Sequence, residues 1–148
     1  VFEPVKEFYD IIKERYNGYE NIKVYNFGLS DKNRTEYISE DADASSVFTG
    51  IGTVEIVLKD IREFLFEEKI FNVDLIKINI EGEEYPLLEE WTKSGIINKV
   101  KYLQVQYHRY GENYEARHNN IQESLKNLGF KLRYEFDFVW EAWENTNI

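Results

Sequence analysis

The sequence predicts an α/β domain, and three observations carry that reading. Residues 73–80 hold an apolar run, Val73, Leu75, Ile76, Ile78 and Ile80, of the kind found in a central parallel strand buried on both faces. The run stops abruptly at Asn79, Glu81 and Gly82. Glu83 and Glu84 then open a helix with Pro86 in its first turn, where a missing N–H costs least. Strand-like and helix-like periods also alternate on both sides of this stretch. Polar groups therefore collect at the carboxyl end of a buried strand, the edge where ligands bind in open α/β sheets.

At 148 residues the chain has one domain's length, and its 16% aromatic content argues against disorder. A net charge of −10 disfavours binding to nucleic acid, which calls for clustered Lys and Arg. No apolar run approaches the roughly 20 residues that span a bilayer, and no signal-peptide pattern is present, so no membrane partner and a cytoplasmic location are expected. There is no Cys, and His108 and His118 are too far apart for an i, i+4 metal pair, so no metal is expected.

In order, Val1 and Phe2 end a short strand with Glu3 at its tip. Pro4 starts a helix with Val5, Phe8, Tyr9, Ile12 and Tyr16 along one face, closed by Asn17-Gly18. Residues 22–29 read as a strand and residues 30–33, Ser-Asp-Lys-Asn, as a turn. Residues 35–39 and 53–58 read as a strand pair around an acidic, small-residue stretch from Glu40, and its Asp41 to Gly52 part is a candidate mobile cover for a site. Asp60 is a plausible N-cap for a helix through Ile61, Phe64 and Leu65. The helix from Glu83 turns Leu87, Leu88 and Trp91 inward and ends at Gly95. Residues 100–107 form a further strand with His108 at its end. A helix over about 116–128 carries Ile121, Leu125 and Leu128, with His118 on its solvated side, and Gly129 stops it. Phe130, Leu132, Tyr134 and Phe136 alternate as a strand, and residues 138–143 form the last one, where Trp140 and Trp143 close the sheet edge with Glu141 between them.

The pieces V-F-E-P, N-F-G-L-S-D, D-L-I-K-I-N-I-E-G-E-E, Y-L-Q-V-Q-Y-H and F-V-W-E-A-W, in that order, resemble the FkbM family of S-adenosylmethionine-dependent methyltransferases. The resemblance runs from Val1 to about Glu144. It implies a Rossmann-like class I methyltransferase three-layer sandwich with a mostly parallel sheet whose last strand is antiparallel. It further implies O-methylation of a hydroxyl on a glycan or small natural product.

By this resemblance Glu3 accepts hydrogen bonds from the cofactor's ribose hydroxyls, a task suited to two carboxylate oxygens. A carboxylate at a helix N-terminus would be favoured there in any case. Leu29, Ser30 and Asp31 match the turn beside the adenine, and they also make an ordinary polar turn. Asn79 and Glu81 match the loop facing methyl donor and acceptor. Family members commonly have Asp at the Asn79 position, so this chain keeps hydrogen bonding there and loses a charge. Glu81 either orients the acceptor hydroxyl or caps the following helix. His108 either takes the acceptor's proton, with an ordinary pKa near neutrality, or is a polar residue ending a strand.

Methyltransferases of this type hold the methionine end of the cofactor with a D-x-G-x-x-x-G loop after the first strand. No such segment is present, and the chain begins Val1-Phe2-Glu3-Pro4 without Met. The expectation is a single methyltransferase domain over residues 1–148 that lacks the first strand and glycine-rich loop, inactive by itself and weak in binding cofactor. That strand would sit between the one ending at Phe2 and the one at 73–80, so both are expected to keep an unpaired edge. Two other readings use the same residues. One is a Rossmann-like module binding a nucleotide without methyl transfer, since an acidic strand tip also suits a dinucleotide ribose. The other is a non-catalytic methyltransferase relative, for which Asn79 is the support.

Overall fold

The computed structural model describes residues 1–38, 53–80, 82–109, 111–136 and 139–148. The chain divides into two compact units, Val1–Phe64 and Leu65–Ile148. No helix among the described residues is long and apolar enough to cross a membrane.

In the first unit, Phe2 bridges Tyr25 in parallel, with Glu3 N–H on the Tyr25 carbonyl at 3.0 Å. Rings of Phe2, Tyr25, Phe27 and Phe64 gather there, with centroids 5.0–6.0 Å apart. Helix α1 (Lys6–Arg15) follows, with Glu7 in its first turn and Lys13 and Arg15 in its last, each placed to suit the helix dipole. No α1 residue is buried, and Phe8 and Tyr16 are exposed, contrary to the predicted apolar face. Val5, just before the helix, packs with Val54 on the core of Ile38, Ile56 and Leu58.

Strand β1 (Gly28–Ser30) runs parallel to β3 (Val54–Asp60), while β2 (Arg34–Ile38) pairs antiparallel with β3, as the alternation of both segments predicts. The order is β1-β3-β2. The strand expected over residues 22–29 is a single bridge at Tyr25 followed by the short β1. Helix α2 (Ile61–Glu67) starts at Asp60, whose Oδ1 accepts the Arg62 N–H at 2.7 Å, the expected cap.

In the second unit, β4 (Val73–Ile78) leads to α3 (Glu84–Ser94), a 3-10 turn at Ile96–Lys99, β5 (Val100–Gln106), α4 (Tyr114–Asn127), β6 (Phe130–Phe136) and β7 (Trp140–Asn145). The sheet order is β4-β5-β7-β6; β4 is parallel to β5, and the β5/β7 and β6/β7 ladders are antiparallel. The core is one face of this sheet, with Leu103, Val105 and Trp143, under Tyr85, Leu88 and Trp91 of α3 and Ile121 and Leu125 of α4. Gly129 ends the last helix at φ +88°, a backbone conformation that favours glycine, and a Cβ there would displace the Asn147 amide from the Leu128 carbonyl to which it donates at 2.9 Å.

Three expectations need correction. The described ladders make two mixed sheets rather than a mostly parallel one, because the segments joined most locally, β2 to β3 and β6 to β7, pair as antiparallel neighbours. Among the described residues β4 pairs with β5 alone, the unpaired edge expected from the sequence, but its burial departs from expectation. It is an edge strand with Ile78 buried and Leu75 58% exposed, so its apolar run is not covered on both faces. Strand β7 lies inside its sheet, between β5 and β6, and does not close an edge. Its buried face alternates Glu141, Trp143 and Asn145, which places Glu141 beside Trp143 and away from Trp140.

Candidate active site

The parallel register of β4 and β5 pairs Ile78 with Val105, so Asn79 and the Tyr107-His108 segment leave the sheet at the same edge. Trp140, opposite Gln106, begins β7 there as well. Asn79 is exposed and has no hydrogen-bond partner among the described residues. Glu81 and the stretch at 41–52 proposed as a cover lie outside the described residues.

At this edge the structure builds a clamp around His108. Glu84, the first residue of α3, is fully buried, at 0% exposure. Its Oε2 accepts the Gly82 N–H at 2.7 Å, and its Oε1 accepts the His108 N–H at 2.8 Å and lies 2.6 Å from His108 Nδ1. The next residue completes the hold, since Tyr85 Oη donates to the His108 carbonyl at 2.6 Å. Gly82 sits at φ +103°, a conformation that lets its N–H turn toward Glu84 and that a side chain would strain. Burial raises the Tyr85 phenol well above its ordinary pKa, with the Glu84 charge adding to the effect, so the hydroxyl remains a donor.

Behind the clamp lies a second buried polar group. His118 Nε2 is 2.5 Å from Glu141 Oε1, Gln122 Nε2 donates to the same oxygen at 2.6 Å, and Trp143 Nε1 donates to Glu141 Oε2 at 2.8 Å. His118 is only 3% exposed, so it is not the surface residue its polar neighbours suggest. It occupies the first position of the buried stripe His118, Ile121, Leu125, spaced i, i+3, i+7. Its ring meets Tyr107 edge-on at 4.6 Å, and Tyr107 lies 5.6 Å from Tyr85. Burial raises the Tyr107 phenol far above its ordinary pKa, helped by the Glu141 charge.

In the first unit, Glu3 Oε1 accepts the Val5 N–H at 2.9 Å, and its second oxygen has no partner among the described residues. Desolvation of this half-buried carboxyl raises its pKa, opposed in part by the Val5 hydrogen bond. Leu29 is half-buried in β1. Ser30 is buried, and its Oγ donates to Asp31 Oδ1 at 3.0 Å and accepts from Arg34 Nη1 at 2.6 Å. Arg34 also binds Asp31 Oδ1 at 2.6 Å and pairs with Glu36. Asn33 accepts the Asp60 N–H at 2.8 Å, and Arg62 pairs with Asp60, holding that carboxyl below its usual range. Ser30 and Asp31 are thus fixed in a charged turn at the end of β1.

The residues brought together are therefore Ser30 with Asp31 in one unit, and His108 with Glu84 and Tyr85 in the other. Glu84 and Tyr85 are not among the residues expected at the site from the sequence. A signal for Glu84 is present, since Glu84, Leu88 and Trp91 are spaced i, i+4, i+7 and so share one helix face.

The model of the methyltransferase FkbM domain matches residues 1–132, across both units, and the chain belongs to this family. The crystal structure of methyltransferase FkbM from Methylobacillus flagellatus KT is similar in fold, with a TM-score of 0.52 at 17% identity, over 96% of this chain and 34% of that one. The chain thus spans about a third of that protein. A comparison with curated proteins gives no match.

Proposed function

We propose that residues 1–148 are a single domain of an S-adenosylmethionine-dependent methyltransferase of the Rossmann-like class, acting on a hydroxyl of a glycan or small natural product. The observation that carries this reading is the family match running through both units, from Val1 to Leu132. S-adenosylmethionine, when bound, supplies an electrophilic methyl group on sulfur. Glu3 suits its ribose, because a half-buried carboxylate with one oxygen committed to Val5 and the other without a described partner is ready for vicinal hydroxyls. Leu29 and the rigid Ser30-Asp31 turn flank the adenine, with Asp31 held in place by Arg34.

His108 takes the proton from the acceptor hydroxyl, a task for which imidazole is suited near neutral pH. Asn79, exposed at the same sheet edge, orients that hydroxyl through its amide, and Glu81 serves the same loop. Trp140, which begins β7 opposite Gln106 at this sheet edge and pairs with Phe136, supplies aromatic surface in keeping with a sugar ring or a small natural product.

The test is transfer of labelled methyl from S-adenosylmethionine to polyhydroxylated acceptors by the complete gene product. The His108→Gln variant should transfer on the order of 10²–10⁴-fold more slowly. Failure to transfer to any acceptor hydroxyl, or an unchanged rate in the variant, would remove this reading.

A further inference from the structure

We propose that Glu84 is a positioning residue that fixes the tautomer of His108, holding the proton on Nδ1 so that the lone pair lies on Nε2. This rests on the reading of His108 as the base. Three donors converge on the Glu84 carboxylate: the Gly82 N–H on one oxygen, and the His108 N–H and Nδ1 on the other, at 2.7, 2.8 and 2.6 Å. A carboxylate only accepts, so a ring nitrogen at 2.6 Å from it must carry the proton. In a neutral imidazole that leaves Nε2 as the basic nitrogen.

The geometry allows little escape from this state. Glu84 is fully buried at the start of α3, where the dipole favours negative charge, and each of its oxygens already accepts a backbone N–H. The backbone that carries the imidazole is held as well, because the same carboxylate oxygen accepts the His108 N–H and Tyr85 donates to the His108 carbonyl at 2.6 Å, so the ring turns away only by giving up its own bond to Glu84. One carboxylate therefore sets both the place of the ring and its proton. It also ties the ring to Gly82, whose N–H it accepts on its other oxygen.

A role in packing alone would be indifferent to which ring nitrogen holds the proton, and a tautomer measurement separates the two. Long-range nitrogen–proton NMR spectra of the labelled protein, at a pH where the ring is neutral, should show His108 with Nδ1 in the protonated range and Nε2 in the unprotonated range. The signals are assigned by their loss in His108→Gln. In Glu84→Gln, whose amide can present either oxygen or NH₂ to the ring, the two nitrogens should move toward intermediate shifts. Tyr85→Phe, which loosens the same strand end without touching the ring, should leave them in place. In methyl transfer, Glu84→Gln should lower kcat on the order of 10²-fold with little change in the KM for the methyl donor.

A proton on Nε2 in the parent protein would overturn the proposal, even if Glu84→Gln could not be folded. An unchanged tautomer in folded Glu84→Gln would do the same. The predicted tautomer in a protein that transfers no methyl group would instead remove the functional reading and leave the Glu84–His108 assignment standing.

Discussion

The two units use charge in opposite ways. In the first, the charged contacts are close in sequence and each keeps at least one partner partly exposed: Lys6 with Asp10, Asp31 with Arg34, Asp60 with Arg62. In the second, the decisive ones are buried and distant in sequence, with 24 residues separating Glu84 from His108 and 23 separating His118 from Glu141. Local pairs in high dielectric stabilise a turn or a helix end by little, whereas a buried carboxylate with three donors leaves each of them unsatisfied when it is removed. The second unit should therefore be brittle at its polar groups, and the first tolerant.

The largest effect is expected for Glu141→Ala, which strips His118, Gln122 and Trp143 Nε1 of their common acceptor. A loss of about 3–5 kcal/mol in chemical denaturation is predicted. A loss below about 1 kcal/mol would break the contrast between the units.

An intermediate effect is expected at Asp60, which caps α2 and pairs with the half-exposed Arg62. Asp60→Ala should cost about 1–2 kcal/mol, mostly through the cap. The Arg62 side chain holds the folded Asp60 pKa below its unfolded value. Its contribution is thus present above the ordinary carboxylate range and is lost as pH falls through the lower folded value. Denaturation of parent and variant should converge in acid, and a gap that persists there would mean the cap does not depend on the charge.

The smallest effect belongs to Lys6→Ala, which removes an exposed i, i+4 pair and should change stability by no more than about 0.5 kcal/mol, less in high salt. A larger loss would mean that α1, which buries none of its side chains, relies on its surface charges.

The same contrast explains what could be read from the sequence. The Asp60 cap, the β2/β3 pairing and the inward Leu87, Leu88 and Trp91 follow from local pattern, and all are present. The burial of Glu84 and His118 was also written there, since each continues an apolar helical stripe, but polar residues in such a stripe read as its boundary until a partner is found. Those partners, His108 and Glu141, come from other elements more than 20 residues away, and no period reports them. The exposure of Leu75 in β4 was hidden for a related reason. An apolar run records a tendency to be covered, while the number of neighbours it gains depends on non-local pairing.

Glu3 stands apart from both kinds of charged group. Burial raises its folded pKa, so its ionised form costs stability, and protein stability gains as pH falls through that raised value and Glu3 takes up a proton. Glu3 also has an oxygen that no described residue uses, the feature on which its proposed ribose contact rests. Calorimetric titration of S-adenosylhomocysteine into the complete gene product and its Glu3→Gln variant, with Tm recorded for both, tests this most directly. The account predicts binding by the parent, affinity at least about tenfold weaker in the variant, equivalent to about 1.4 kcal/mol, and a Tm that is unchanged or higher. Absence of binding by the parent, or equal affinity in the two proteins, would contradict it.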